Sequence, residues 1–176
     1  MKILIISDIH GSAKWCREAI EAYKREGADR LVILGDVLYH GPRNPLPDEY
    51  NPKEVAALLA PYARVITAVR GNCDSEVDQM VLNFNVSADY AIIMTDGLNI
   101  HLSHGHREAP PIADGDVYVT GHTHVPLNAE EGGYFHLNPG SVSLPKEDSG
   151  RGYILYENKA FTFKTFDGKV YGERKV

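Results

Sequence analysis

Cysteine is scarce in this sequence. Cys16 and Cys73 are the only two, so no disulfide framework holds the fold and a reducing compartment is expected. Long apolar runs are missing as well: stretches such as residues 3–6 and 31–34 fall far short of the roughly 18 residues that cross a bilayer. A membrane-spanning helix is therefore excluded. Basic clusters are absent, with 18 Lys and Arg scattered among 24 Asp and Glu for a formal net charge of −6. Specific nucleic-acid binding needs a basic footprint and is not expected. The opening residues, Met1-Lys2-Ile3-Leu4-Ile5-Ile6-Ser7-Asp8, reach an acidic side chain too soon for a signal peptide, and the expectation is a cytoplasmic protein. No Gly/Ser linker, repeat or low-complexity tract interrupts the chain, so residues 1–176 are read as one domain, long enough to bury about 70% of the unfolded surface.

One residue type is in surplus. Eight histidines are about twice the share of an average chain, and an acidic protein rich in histidine is suited to storing metal ligands. Around them the chain reads as strands and helices in alternation. Residues 2–7 form a β-branched and leucine run typical of a strand buried on both faces, and Ser12 then caps a helix whose apolar positions Trp15, Ala19, Ile20 and Tyr23 share one face up to Gly27. A second run, residues 31–34, stops at Gly35-Asp36; a Pro-rich loop over residues 40–52 leads to a helix with Asn51 as cap. A third run, residues 65–69, ends at Arg70-Gly71-Asn72-Cys73-Asp74. Three βα units in a row predict a parallel sheet with right-handed crossovers. After residue 86 short strands follow at residues 90–95, 98–103, 117–120, 134–137, 152–156, 160–166 and 169–172, the first two joined by a type I′ Asp96-Gly97 turn. This half is predicted to be mostly antiparallel, in an architecture of two packed sheets with outer helices.

The carboxyl ends of parallel strands face one side, so Asp8, His10, Asp36 and Asn72 are expected in one crevice. Ser103-His104-Gly105-His106 and Gly121-His122-Thr123-His124 each follow a later strand and add imidazoles. The set Asp8, His10, Asp36, Asn72, His104, His122 and His124 contains only oxygen and nitrogen donors. It is too large for one tetrahedral ion and suits two divalent ions about 3.5–4 Å apart. Asp36, from the middle strand, is the expected bridge. The i, i+2 spacings Asp8/His10 and His122/His124 keep both members of a pair on one side of an extended segment. His101 reads as structural and His136 as either structural or functional, whereas His40 and His106 lie beside site residues as supports or substrate contacts.

In its order, the set Asp8-Ile9-His10, Gly35-Asp36, Gly71-Asn72, His104-Gly105 and Gly121-His122-Thr123-His124 resembles the calcineurin-like metallophosphoesterase superfamily, whose pattern is D-x-H, G-D, G-N-H-[DE], H and G-H-x-H. Ser7 to Ser12, Leu34 to Asn44, Arg70 to Glu76 and Asn138-Pro139-Gly140-Ser141-Val142-Ser143 extend the likeness, over nearly the whole chain, to a small bacterial phosphodiesterase subgroup. The resemblance implies an α/β/β/α sandwich, two mixed β-sheets flanked by helices, with a dinuclear site. Asp8, His10, Asp36 and His124 would hold one ion, and Asp36, Asn72, His104 and His122 the other. Mn²⁺ is favoured over Zn²⁺, Fe and Ni²⁺. The implied reaction is attack of a metal-bridging hydroxide on a small phosphodiester, with Asn72 both ligating and orienting substrate. Cys73 stands where the pattern has a leaving-group histidine, and Asp74 takes the acidic place. Arg43 reads as a phosphoryl clamp or as a surface partner of Asp48 or Glu49, and Asn138 to Ser141 as a structural turn behind the site. The rival readings are a phosphomonoesterase of the same fold and a non-catalytic scaffold of the retromer-subunit type; a homo-oligomer is left open.

Overall fold

The computed structural model describes residues 1–176. Its first strand, β1 (Ile3–Ile6), is buried at every position because both faces of its sheet are covered. Ile3 and Ile5 enter one apolar cluster and Leu4 and Ile6 another, as the two-residue period of a strand requires. Helix α1 (Ala13–Glu26) starts where the Ser12 side chain accepts the Trp15 N–H and ends at Gly27, whose φ of 60° closes the last turn. Strand β2 (Arg30–Ile33) follows, then α2 (Pro52–Leu59), capped by the Asn51 side chain accepting the Glu54 N–H at 3.2 Å. Strand β3 (Ile66–Ala68) precedes a six-residue helix, α3 (Glu76–Val81), held by the Asp78 carboxylate accepting the Ser75 N–H at 2.9 Å.

The later strands are β4 (Tyr90–Thr95), β5 (Leu98–Ser103), β6 (Val117–Val119), β7 (Leu127–Glu131), β8 (Tyr134–Asn138), β9 (Gly152–Glu157), β10 (Ala160–Thr165) and β11 (Val170–Lys175). Asp96 and Gly97 have φ of 55° and 74°, the two positive values of the expected turn between β4 and β5. One sheet runs β11-β10-β9-β1-β2-β3 and the other β4-β5-β6-β8-β7. Strand β7 has no counterpart in the sequence reading, since Leu-Asn-Ala-Glu-Glu carries little apolar alternation.

Two mixed sheets flanked by helices are thus the architecture, with two departures in detail. The second half is antiparallel in most of its pairs, but the centre of its sheet is not: β5 pairs parallel with β6, and β6 parallel with β8. That arrangement sends the ends of β5 and β6 to the edge where β1 and β2 also end. The three α-helices all precede β4, and on the second sheet Ile92 and Met94 stand 47% and 79% exposed. No helix is long and apolar enough to cross a membrane.

The two sheets meet through Ile3, Ile5, Val32, Leu34 and Ile154 on one side and Ile100, Leu102, Val117 and Val119 on the other. Ile5 is fully buried in this layer. Ile5→Ala is expected to lower the unfolding free energy in urea by about 3–4 kcal/mol, whereas Ile92→Ala, at an exposed position, should change it by less than about 0.5 kcal/mol.

Candidate metal centre

The polar residues at the strand ends converge. Asp8 and His10 follow β1, Asp36 follows β2, His104 follows β5, and His122 and His124 follow β6. Asp8, His10, His104 and His124 are buried to within a few per cent. Asp8 Oδ1 lies 3.3 Å from His124 Nε2, 3.6 Å from His10 Nε2 and 3.9 Å from His104 Nε2. Asp36 Oδ2 stands 3.6 Å from His10 Nε2 and 3.3 Å from His104 Nε2, between the two imidazoles. The side chains form three tight groups, Asp8/His10/His124, Asp8/Asp36/His104 and His10/Asp36/Cys73, with donor atoms within 4.8 Å of one another.

The direction in which these donors point decides what they suit. His10 Nδ1 donates to the Tyr39 carbonyl at 2.8 Å, His104 Nδ1 to that of Leu34 at 2.6 Å and His124 Nδ1 to that of Leu144 at 2.6 Å. A carbonyl only accepts, so each ring carries its proton on Nδ1 and, when neutral, turns a lone pair inward at Nε2. His10 Nε2 and His124 Nε2 then face each other at 3.1 Å, and His104 Nε2 faces Asn72 Oδ1 at 3.1 Å. Asp8 Oδ1 is buried among them without a hydrogen-bond partner. Acceptor facing acceptor around a buried carboxylate is unfavourable unless a cation sits between them, and nitrogen and oxygen donors of this kind fit divalent ions. Burial opposes charge on His104, but the Asp36 and Asp8 carboxylates overcome it and push this imidazole up to about 9. Burial would raise the Asp8 carboxyl, yet the imidazoles of His10, His124 and His104 hold it far below the usual range.

The backbone bends sharply to aim the donors. Asp8, His10, Asp36, His122 and His124 have φ of 58°, 50°, 54°, 68° and 64°, in the left-handed region that costs a non-glycine residue about 1–2 kcal/mol. The glycines of the motifs permit the close approach. A Cβ on Gly71 would lie 2.0 Å from Asp36 Oδ1, and one on Gly121 1.8 Å from Ser7 Oγ. His122 joins none of these groups; its ring lies 5.1 Å from that of His104, and its backbone N–H donates to Asp8 Oδ2 at 3.0 Å. Ser141 and Ser143 hydroxyls donate to the Asp8 carbonyl at 2.8 and 3.1 Å, and Asn138 Nδ2 donates to the Gly121 carbonyl at 2.7 Å. The Asn138 to Ser143 segment is thus the bracket behind the site.

A cavity of about 930 Å³ opens beside the cluster, lined by Asp36, Arg43, Asn72, Cys73, His122 and His124 among others. Arg43 pairs with neither rival partner, because Asp48 is taken by Lys14 and Glu49 by Arg17. The His40 ring packs edge-on against Tyr39 and Tyr50, and Tyr39 lines the cavity. His106 stacks outside His104 and His122 on a separate, smaller cavity. His101 bonds to Asp116 and Tyr90, and His136 to Glu131 and Thr120, so both are structural. Tyr39, Asn44, Ser75 and Thr123 also line the cavity from within the quoted motifs, where no role fell to them, and Lys146 lines it from outside every motif.

Asp74, in the acidic place of the pattern, is tied to the backbone of two site loops. Its carboxylate accepts N–H groups of Asp36 and Val37, both at 2.8 Å, and of Gly71 at 2.7 Å, clamping two site loops together. Cys73 donates its N–H to Asp36 Oδ1 at 2.8 Å, and burial with the neighbouring Asp36 and Asp74 carboxylates pushes its thiol up to about 12.

A family model described as the calcineurin-like phosphoesterase superfamily domain matches residues 1–160. The chain belongs to that superfamily. It is similar to "Phosphodiesterase YfcE" of Escherichia coli (strain K12), with 46% identity over 162 residues, 90% of this chain and 88% of the relative. It is 28% identical to "Probable metallophosphoesterase YsnB" of Bacillus subtilis over 95% of this chain and 91% of the relative. The solved structure of the phosphoesterase Yfce from E. coli superposes with a TM-score of 0.96 at 41% identity, covering 100% of both chains. Vacuolar Protein Sorting 29 from Cryptosporidium parvum shares the fold, with a TM-score of 0.65 at 19% identity over 99% of this chain and 98% of that one. As a calcineurin-like phosphoesterase the chain is a hydrolase, and the superfamily implies divalent metal ions.

The loop clamp gives a direct test. In Asp74→Asn an amide N–H must face a backbone N–H, which is expected to lower the unfolding free energy by about 1–3 kcal/mol. Wild-type stability in a urea titration would return Asp74 to a purely chemical role.

Proposed function

We propose that this chain is a metal-dependent phosphodiesterase acting on small phosphodiesters with two divalent ions, Mn²⁺ first and Zn²⁺, Fe or Ni²⁺ behind it. The observation that carries the reading is the inward-facing donor set around the unpartnered Asp8 Oδ1. Asp8, His10, Asp36 and His124 would hold one ion, and Asp36, Asn72, His104 and His122 the other, with Asp36 shared. When bound, such ions supply a water acidified from a pKa of about 15.7 toward neutrality and positive charge for the phosphoryl oxygens.

The remaining chemistry falls to the chain's own side chains. Asn72 offers Oδ1 toward His104 and donates one Nδ2 hydrogen to Cys73 Sγ at 3.3 Å, leaving the second for a phosphoryl oxygen. Arg43 and Lys146, on the wall of the cavity, supply cationic charge for the phosphate. Cys73 stands in the position of the superfamily's leaving-group histidine but forms no imidazolium, so protonation of the departing alcohol is weak. General acid help is worth about 10²–10⁴ in rate, and its lack favours diesters with acidic alcohols, such as aryl esters. A diester also uses the room that a cavity of about 930 Å³ leaves around one phosphate. The free cysteines suit a reducing cytoplasm. A scaffold role would not need the complete ligand set, and a monoesterase is separated by assaying an aryl monoester beside an aryl diester.

Removing metal with a chelator is expected to abolish hydrolysis of bis(aryl) phosphate, and added Mn²⁺ to restore it. Asp36→Asn should lower both metal content and hydrolysis, the latter by about 10²-fold or more; if it left both intact, the site assignment would fail. Cys73→His should raise the rate on alkyl diesters more than on aryl ones, and an equal effect on both would refute the leaving-group argument.

A further inference from the structure

A second cavity, about 550 Å³, lies beside the metal centre between α2, α3 and the segment after β2. Its walls include Leu38, Tyr39, Pro52, Ala56, Val77 and Val81. Its charged neighbours are Lys53 and Asp78; Asp78 is engaged by the Ser75 N–H, and Lys53 is exposed. The metal-side cavity has the opposite character, with carboxylates, imidazoles, amides, Arg43 and Lys146 on its walls. The two cavities share Tyr39, Cys73 and Ser75, so they meet at the residue proposed to face the departing alcohol. Val77, Val81 and Tyr39 are 64%, 53% and 42% exposed. Apolar side chains grouped at the mouth of a polar site mark a place where an apolar ligand is covered.

We infer that this groove receives the hydrocarbon or aromatic alcohol of a phosphodiester whose phosphate lies over the metal centre, which makes the substrate class diesters of one apolar alcohol. The inference rests on the phosphodiesterase reading above. The continuity through Cys73 identifies the occupant. An ester substituent reaches the groove from the reacting phosphate, whereas a protein seated there would close the mouth that both cavities share. Hydrolysis adds water across the phosphorus–oxygen bond: the water oxygen bonds to phosphorus, the bond to the alcohol oxygen breaks, and that oxygen leaves with a proton from water.

The test compares methyl phenyl phosphate with methyl 2-naphthyl phosphate on the Mn²⁺-loaded protein. The two leaving alcohols are similar in acidity and differ by one fused ring. A hydrophobic pocket discriminates such a difference by about 10-fold or more, so the naphthyl ester should show about 10-fold higher kcat/KM, and Val77→Gln with Val81→Gln should bring the ratio near one. A ratio near one in the unaltered protein, or a preference that survives both substitutions, would overturn the inference. So would a self-association in sedimentation that the substitutions dissolve without changing the ratio, since the groove would then join two copies of the chain. If neither ester is hydrolysed, the phosphodiesterase reading itself fails. Titration of naphthyl fluorescence with the same ester still decides the groove: binding weakened about 10-fold by Val77→Gln supports it, and unchanged or absent binding overturns it.

Discussion

Three backbone carbonyls, those of Leu34, Tyr39 and Leu144, set the chemistry of this fold. By accepting the Nδ1 protons of His104, His10 and His124 they turn three imidazole lone pairs onto a common space that also holds the Asp8 and Asp36 carboxylates. Held this way, a neutral ring turns a lone pair toward the carboxylates and a protonated ring turns a second N–H, so a divalent cation and bound protons are alternative complements of the same donor set.

Keeping such a centre requires a rigid frame. Left-handed backbone at Asp8, His10, Asp36, His122 and His124 is unfavourable taken alone and persists only where the surroundings over-determine it. Two apolar layers provide that constraint. One packs the first sheet against α1 and α2, and the other packs the two sheets together. The site lies where both sheets end, so a loop leaving β1 is held at once by the Ser141 and Ser143 hydroxyls and by the backbone of the segment after β2. Asp74 does the same for the loops after β2 and β3.

The two cavities differ in the chemistry they offer a ligand. The charged one adjoins the metal donors, the apolar one adjoins Cys73, and Tyr39 and Ser75 belong to both. A ligand with an anionic centre and a hydrocarbon arm satisfies both walls, which neither inorganic phosphate nor a purely polar ester does.

The sequence by itself determined which polar residues gather at the strand ends and the frame that carries them. Apolar runs that stop at Asp8, Asp36 and Asn72 can only be strand ends, and parallel strands end on one side, so convergence followed from periodicity and connection rules. Caps at Ser12 and Asn51 and the Asp96-Gly97 turn were legible because each depends on a side chain and its immediate neighbours. The parallel pairing inside the second sheet, the ring direction of each histidine and the clamp made by Asp74 were decided only by the tertiary structure. Each depends on which carbonyl or N–H arrives from a distant segment, as Leu144 does for His124 and Val37 for Asp74. Local spacing contains no record of such a meeting, because it exists only once both sheets are packed.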